Sequence, residues 1–469
     1  MTEGNNRKKS RIAQEKSWRE DRGFLILTVL TAAVLFGLCL AAAMFLDYTK
    51  TPDEIMRMRI PRFIYEHGYL PNGDEPELLE GFPFGFSYGY SPYLPSLVSV
   101  VFMKIASLFQ AGEYGLLVAA RMVNVLSGVG IFVVCILLGM RLFDKKAKAY
   151  LFACLCAFLP QLIFLSGYLN NDSPSVFATA LVALFWVSGM ERRWDKVSCV
   201  KLGVSLGILA LTYYNAYGFI LMSIVIFCVS CYKMRGGLRQ MLLRGIWVFC
   251  VAMLVGGWFF VRNAVIHDGD FIGMKTMYES GEKYGAEEWK MSNRKTPQNE
   301  GKTLYETFFE EYLPEDNWFG YTAKSFVGIF GAMQYHLSQN AYIFYFVFLI
   351  GFGGFGLLAA LVRQVRSGTW QSGILLLSFI ACMIIPFFLS MYYTYTIDYQ
   401  SQGRYVISIV IPVMYFVVNG IQKMTQLLRI RGKGETAVYA LITCVWLGFT
   451  MYAYFFVLVP TCFSAGAGL

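Results

Sequence analysis

YTKTPDEIMRMRIPRFIYEHGYLP, Tyr48–Pro71, follows directly on the first long apolar run of the chain and sets two adjacent carboxylates, Asp53 and Glu54, where that run ends. A chain that merely crossed and recrossed a bilayer would turn back through a few polar residues. Here a short basic segment follows instead. Thr51, Pro52 and Glu54 predict a helix start, with Thr as N-cap, Pro at N1 and Glu at N3 closing a capping box. Arg57 stands four residues beyond Asp53, at the spacing for a pair on one helix face. Ile55, Met58 and Ile60 read as a face resting on lipid, with the arginines at headgroup level. The box gives Glu54 a structural task and leaves Asp53 without one.

The composition sets the solvent. Of 469 residues 56% are hydrophobic and only 15% charged, with a mean hydropathy of +0.49. That excess of apolar side chains points to a bilayer. The eleven Cys are scattered through apolar runs, which argues against a disulfide framework. Cys228 and Cys231 form a CxxC at a predicted helix end, but with three His in the chain little ligand chemistry surrounds it.

Hydropathy predicts an all-α polytopic membrane protein with about eleven spans, near 24–46, 121–142, 149–167, 175–190, 199–216, 217–232, 245–261, 340–362, 372–393, 404–421 and 437–459. The first is too long for a signal-peptide core and lacks a small-residue cleavage site, so it reads as an anchor. With the N-terminus in the cytoplasm, the inner segments hold 25 of the 40 basic residues and 8 of the 31 acidic ones. The alternation holds only if Tyr93–Phe109 does not cross; it reads as a helix lying in the outer interface. The net charge of +9 is therefore topogenic and implies no nucleic-acid partner.

The chain divides into a basic cytoplasmic tail 1–23, a membrane module 24–261 carrying an external loop 47–120, a second external loop 262–339, and a C-terminal membrane module 340–469. The broken helices and internal repeat usual in a transporter are not evident. IGFGGFG, Ile350–Gly356, matches a nucleotide-binding glycine pattern but lies inside a span, where small residues let helices approach closely.

Polar chemistry therefore concentrates outside. Arg121, Arg262 and Arg404 each stand at the outer end of a predicted span, and Asp172 lies in the short outer loop GYLNNDSPS. One such Arg is ordinarily a snorkelling anchor. Three, with acidic residues at the same level, suit a phosphate-bearing lipid headgroup, since Arg binds phosphate in a fork and a carboxylate accepts the proton of an incoming hydroxyl.

TPDE after the first span, ARMVNVLSGVGIFVVCILLGMRLF (Ala120–Phe143), LSGYLNNDSPS (Leu165–Ser175), FFVRNAVIHDGD (Phe259–Asp270), SFVGIFGAM (Ser325–Met333) and QGRY (Gln402–Tyr405) resemble, in order and sidedness, the GT-C superfamily. These are integral-membrane glycosyltransferases using polyprenyl-phosphate-linked sugars, among them protein O-mannosyltransferases and the aminoarabinose transferase of lipid A, and a bacterial family of membrane proteins of this type is the nearest likeness. The resemblance implies a GT-C fold in a bacterial plasma membrane with the active site on the external face. It implies Asp53 as catalytic base with Glu54 beside it, Asp172 as second acidic residue, and a juxtamembrane helix at Tyr93–Phe109. Some relatives keep a phosphate-binding Lys near FSYGYSPY (Phe86–Tyr93); none stands there, so Arg121, Arg262, Arg404 or Lys324 must supply that charge. A divalent metal is compatible with this picture and not required by it.

The expected reaction is single displacement with inversion, from a polyprenyl-phosphate-linked donor to an external glycan, lipid or protein acceptor. The segment 268–324 reads as either an acceptor-binding lid or a solvated connector. Two other functions fit the arginines: a lipid-linked-glycan flippase or transporter, and an arginine-based glycan polymerase or ligase that needs no Asp.

Overall fold

A computed structural model describes residues 21–234, 237–313 and 316–468. Most of the basic tail 1–23 thus lies outside the described residues. The helices that build the molecule are α1 Arg22–Phe45, α2 Glu54–His67, α3 Leu94–Ser107, α4 Glu113–Leu142, α5 Lys146–Ala157 and α6 Asp172–Glu191. They continue with α7 Lys196–Ala210, α8 Tyr214–Lys233, α9 Gly237–Ile266, α10 Gln339–Ser367, α11 Trp370–Thr396, α12 Gly403–Leu427 and α13 Lys433–Cys462.

Among the described residues nine of these, α1, α4, α6 and α8–α13, are long and apolar enough to cross a membrane. The two other expected spans differ from that form. The stretch 149–167 is interrupted: α5 ends at Ala157 and a short helix restarts at Pro160–Leu165. Proline fixes its own φ and disfavours helix in the residue before it, so the break falls at Leu159, which is extended. The stretch 199–216 is the 15-residue α7. Both segments nonetheless lead from the Lys145 end of the molecule to the Asp53 end. The first is almost wholly buried, whereas α7 keeps an exposed stripe at Lys196, Val197, Lys201 and Val204.

The two ends are chemically distinct. One gathers basic residues in ion pairs: Lys146 with Asp21, Lys145 with Glu435, Arg141 with Glu191, and Lys148 with Asp144 at 2.7 Å. The other carries the loops. α3 has 14 residues, too short for a crossing, and packs against α2 and α4. The pattern IGFGGFG serves packing through Gly356: a Cβ there would lie 1.8 Å from the Phe416 carbonyl of α12.

The segment 268–324 is folded rather than a bare connector. Its helix Met274–Tyr284 clips onto the first loop, with Ser280 Oγ donating to the Gly85 carbonyl at 2.8 Å and Ala286 N to Pro83 O at 2.9 Å. Gly85 has φ +66° and a Cβ on it would meet Gly285 N at 2.1 Å, so only glycine fits that crossing. At its other side Gln298 N donates to Tyr395 O, and the Tyr395 hydroxyl to Lys302 O at 3.0 Å.

Candidate active site

The start of α2 differs from the capping-box expectation. The helix begins at Glu54, and its N-cap is Asp53, in the left-handed region at φ 60° with no side-chain cap. Aspartate tolerates that region better than most residues, and the conformation turns its carboxylate away from the helix end. The carboxylate meets Arg404, whose Nη2 stands 2.5 Å from Oδ2. Arg404 comes from the first turn of α12 and is buried. Its Nε is buried too and has no hydrogen-bond partner.

Burial works against the charge on Asp53. The guanidiniums of Arg404 and Arg57, with the Tyr88 hydroxyl, outweigh it and hold the carboxyl below the usual carboxylate range. Arg57 is itself buried, its guanidinium 4.0 Å from the Tyr88 ring centre and its Nε unpartnered. It lines a cavity of about 50 Å³ with Tyr88, Ser91, Asn171, Thr212 and Tyr213.

Asp172 opens α6 beside this cavity and is 3% exposed, with Oδ1 unpartnered. Asn170 shapes the turn before it: Oδ1 accepts from the Asp172 and Ser173 amides at 2.8 and 3.2 Å. The charges facing Asp172 are Arg404, Arg57 and Asp53. Asp53, Asp172, Arg404 and Arg57 thus form one cluster at the loop end of the helices.

Glu54 serves another purpose. It is fully buried and receives Arg121 Nε and Nη2 at 2.8 and 2.7 Å, the Thr51 hydroxyl at 2.6 Å and the Leu169 amide at 2.8 Å. Arg121, also fully buried, spends Nη1 on the carbonyls of Ala43 and Leu46 at the end of α1. This knot joins α1, α2, α4 and the Asn170 turn. It leaves Arg121 with its donors on protein partners and gives Glu54 a support role in place of the capping box.

The other expected cations lie elsewhere. Arg262 Nη2 donates to Leu70 O and Asn72 Oδ1, both at 3.0 Å. Lys324 pairs with Asp316 at 2.5 Å. The structure therefore brings Arg404 to the carboxylates, but not Arg262 or Lys324. Arg57 was visible in the sequence only as a helix partner of Asp53; its burial over Tyr88 depends on a loop residue 31 positions on, which helix spacing does not reveal. Among the described residues no three His, Cys, Asp or Glu side chains cluster as metal ligands. A divalent cation between Asp53 and Asp172 would also meet two guanidiniums, so the donor set does not fit a metal centre.

No protein-family model and no curated protein matches the sequence. Solved structures do. The fold is shared with solved structures at low sequence identity. It is similar to the oligosaccharyltransferase of Archaeoglobus fulgidus in the apo form, with a TM-score of 0.59 and 15% identity over 93% of this chain and 56% of that one. It is also similar to ArnT of Cupriavidus metallidurans bound to undecaprenyl phosphate, with a TM-score of 0.50 and 14% identity over 96% of this chain and 75% of that one. The chain thus spans little more than half the length of the oligosaccharyltransferase.

Proposed function

We propose that this protein transfers a sugar from a polyprenyl-phosphate-linked donor to an acceptor at the outer membrane surface. The observation that carries this reading is the cluster itself: the Asp53 carboxylate bound by Arg404, with two buried guanidinium nitrogens, Arg404 Nε and Arg57 Nε, left unpartnered. The ArnT structure with bound undecaprenyl phosphate supports a lipid-linked donor, and the oligosaccharyltransferase tethered to an acceptor peptide supports a separate acceptor.

The donor's tail stays in the bilayer while its phosphate reaches the loop ends of α6 and α12. Arg404 keeps one nitrogen on Asp53 and offers Nε to the phosphate, and Arg57 offers a second fork. The acceptor hydroxyl attacks the anomeric carbon from the face opposite the phosphate. The C–O bond to the phosphate breaks, its electron pair leaves on the phosphate oxygen, and the configuration inverts. Asp53 takes the hydroxyl proton. A carboxylate held by arginine is a weak base, which suffices when the sugar centre is already cation-like and proton loss lags behind bond breaking. Asp172 faces the same arginines and positions them. The acceptor's access runs along the folded segment 268–324.

The test is incubation of the purified full chain with a polyprenyl-phosphate-linked sugar pool and a cell-envelope acceptor extract. Sugar transfer with release of polyprenyl phosphate is expected. Binding of the lipid with no turnover against any envelope fraction would favour the flippase instead.

A further inference from the structure

Next to Asp53, the loop between α11 and α12 meets the outer segment 268–324. Asp398, Gln400, Gln402, Tyr393 and Tyr405 come from that loop and the helix turns beside it, and Arg294 from the outer segment. All six are half-buried, so they line an opening and not a core. The Asp53 side chain beside them is itself 29% exposed. Trp318, fully buried, fixes the loop by donating from Nε1 to the Gln400 carbonyl at 2.8 Å, and the Thr394 hydroxyl donates to the same carbonyl at 2.9 Å. The turn that carries Arg294 is seated on α11, where Gln298 N donates to Tyr395 O.

One charge orders the side chains of the loop. An ionised carboxylate only accepts, so Gln400 turns Nε2 to Asp398 Oδ2, at 2.8 Å. Gln400 Oε1 then receives Gln402 Nε2 at 2.6 Å, which leaves Gln402 Oε1 buried and without a partner. From the outer segment, Arg294 Nε is also buried and unpartnered, its guanidinium 5.7 Å from the Phe86 ring centre. The rigid loop thus ends on an acceptor with nothing to accept, and the segment facing it on a donor with nothing to donate to.

Asp53 stands between this opening and the phosphate side of the site. The charges that face Asp172 are Arg404, Arg57 and Asp53, whereas those that face Asp398 are Arg294 and Asp53. Inversion requires attack from the face opposite the leaving phosphate. With the phosphate on Arg404 and Arg57, the attacking hydroxyl enters from the Asp398 side and there meets Asp53.

We infer that this opening binds a sugar unit of the acceptor, so that the acceptor is a glycan; the inference rests on the transfer reaction proposed above. A hydroxyl both donates and accepts. Two neighbouring hydroxyls of one ring give their protons to Gln402 Oε1 and Asp398 and accept from Arg294 Nε, while a further hydroxyl is presented to Asp53. The Tyr393 and Tyr405 rings, 6.3 Å apart between centres, flank the opening as apolar surface for the C–H groups of the sugar. A peptide is held mainly through its backbone along a strand edge, and these six residues offer side chains instead. A lipid acceptor would need an apolar wall in place of the two glutamines and the carboxylate.

The experiment uses the purified full chain, the polyprenyl-phosphate-linked sugar pool and a phospholipid-free envelope extract as acceptor. One portion of the extract is digested with protease. Another is oxidised with periodate, which cleaves the carbon–carbon bond between neighbouring hydroxyls, and then quenched. Transfer should survive the protease and fall to background after periodate. Gln402→Leu keeps most of the volume and removes the acceptor oxygen. It should raise the apparent KM for the extract about fivefold, the weight of one hydrogen bond, with undecaprenyl phosphate binding at the wild-type level as the check on folding. Transfer that survives periodate overturns the inference and leaves the proposed function standing, as does an unchanged acceptor KM in Gln402→Leu. Absence of transfer to the untreated extract overturns the proposed function, and the inference with it.

Discussion

Asp53 and Arg404, 351 positions apart in the chain, meet with 2.5 Å between carboxylate and guanidinium. The contact joins the loop after the first helix to the first turn of the twelfth. In the proposed reaction it couples the proton acceptor directly to the cation that meets the leaving phosphate. Each residue therefore affects the other's chemistry.

That coupling has a pH signature. Burial disfavours the Asp53 carboxylate, but Arg404 and Arg57 more than offset it, so the folded carboxyl lies below its unfolded value of about 3.9. The sign follows: the stabilisation by this group is present above about pH 4 and is lost as pH falls through the lower folded value. The acid limb of kcat/KM should accordingly lie below pH 4 in wild type. Arg404→Gln removes the largest favourable charge and leaves the burial, so its limb should shift upward. A pH–rate profile of both proteins checks this; an unmoved limb contradicts the coupling.

Glu54 and Arg121 predict a stability effect. Removing one member of a buried ion pair strands the other, typically at a cost of about 3–5 kcal/mol. Glu54→Gln should lower the thermal midpoint in detergent markedly, more than Arg62→Gln, whose pairs with Glu66 and Glu113 are solvent-exposed. A double replacement, Glu54→Leu with Arg121→Met, should recover much of the loss. Equal midpoints for Glu54→Gln and wild type would show that the knot contributes little.

The arginines separate by location. Arg57→Ala should weaken binding of undecaprenyl phosphate by about 10-fold or more, with Arg57→Lys intermediate because a point charge replaces a fork. Arg262→Ala should leave that affinity unchanged, since its guanidinium is held by Leu70 and Asn72. Titration of the lipid by microscale thermophoresis distinguishes the four proteins.

Orientation can be read with introduced cysteines. A cysteine near Glu288, in the folded outer segment, should react with an impermeant thiol reagent in intact cells. One near Lys145, at the basic end, should be shielded. The reverse pattern would place the site in the cytoplasm.

Much of this was legible in the sequence, and the gaps have physical causes. Apolar runs locate spans because a bilayer demands length, yet Pro160 interrupts one run without changing its hydropathy. Asp53 stood out because the local pattern gave it no other task. The capping box expected at Glu54 fails for the converse reason. Thr51 and Glu54 do touch, as a capping box would suggest, but the decisive partner is Arg121, 67 residues away. Helix-end arginines look alike in a sequence. Only their partners separate Arg404, on Asp53, from Arg121, on Glu54, and from Arg262, on a loop carbonyl.

The central claim is that Asp53 takes the acceptor's proton. Asparagine there preserves size and can still accept from Arg404, but it cannot act as the base. Sugar transfer from a purified polyprenyl-phosphate-linked donor should fall by about 10²-fold or more in Asp53→Asn, with undecaprenyl phosphate binding largely retained. Near-normal turnover by Asp53→Asn would contradict the account.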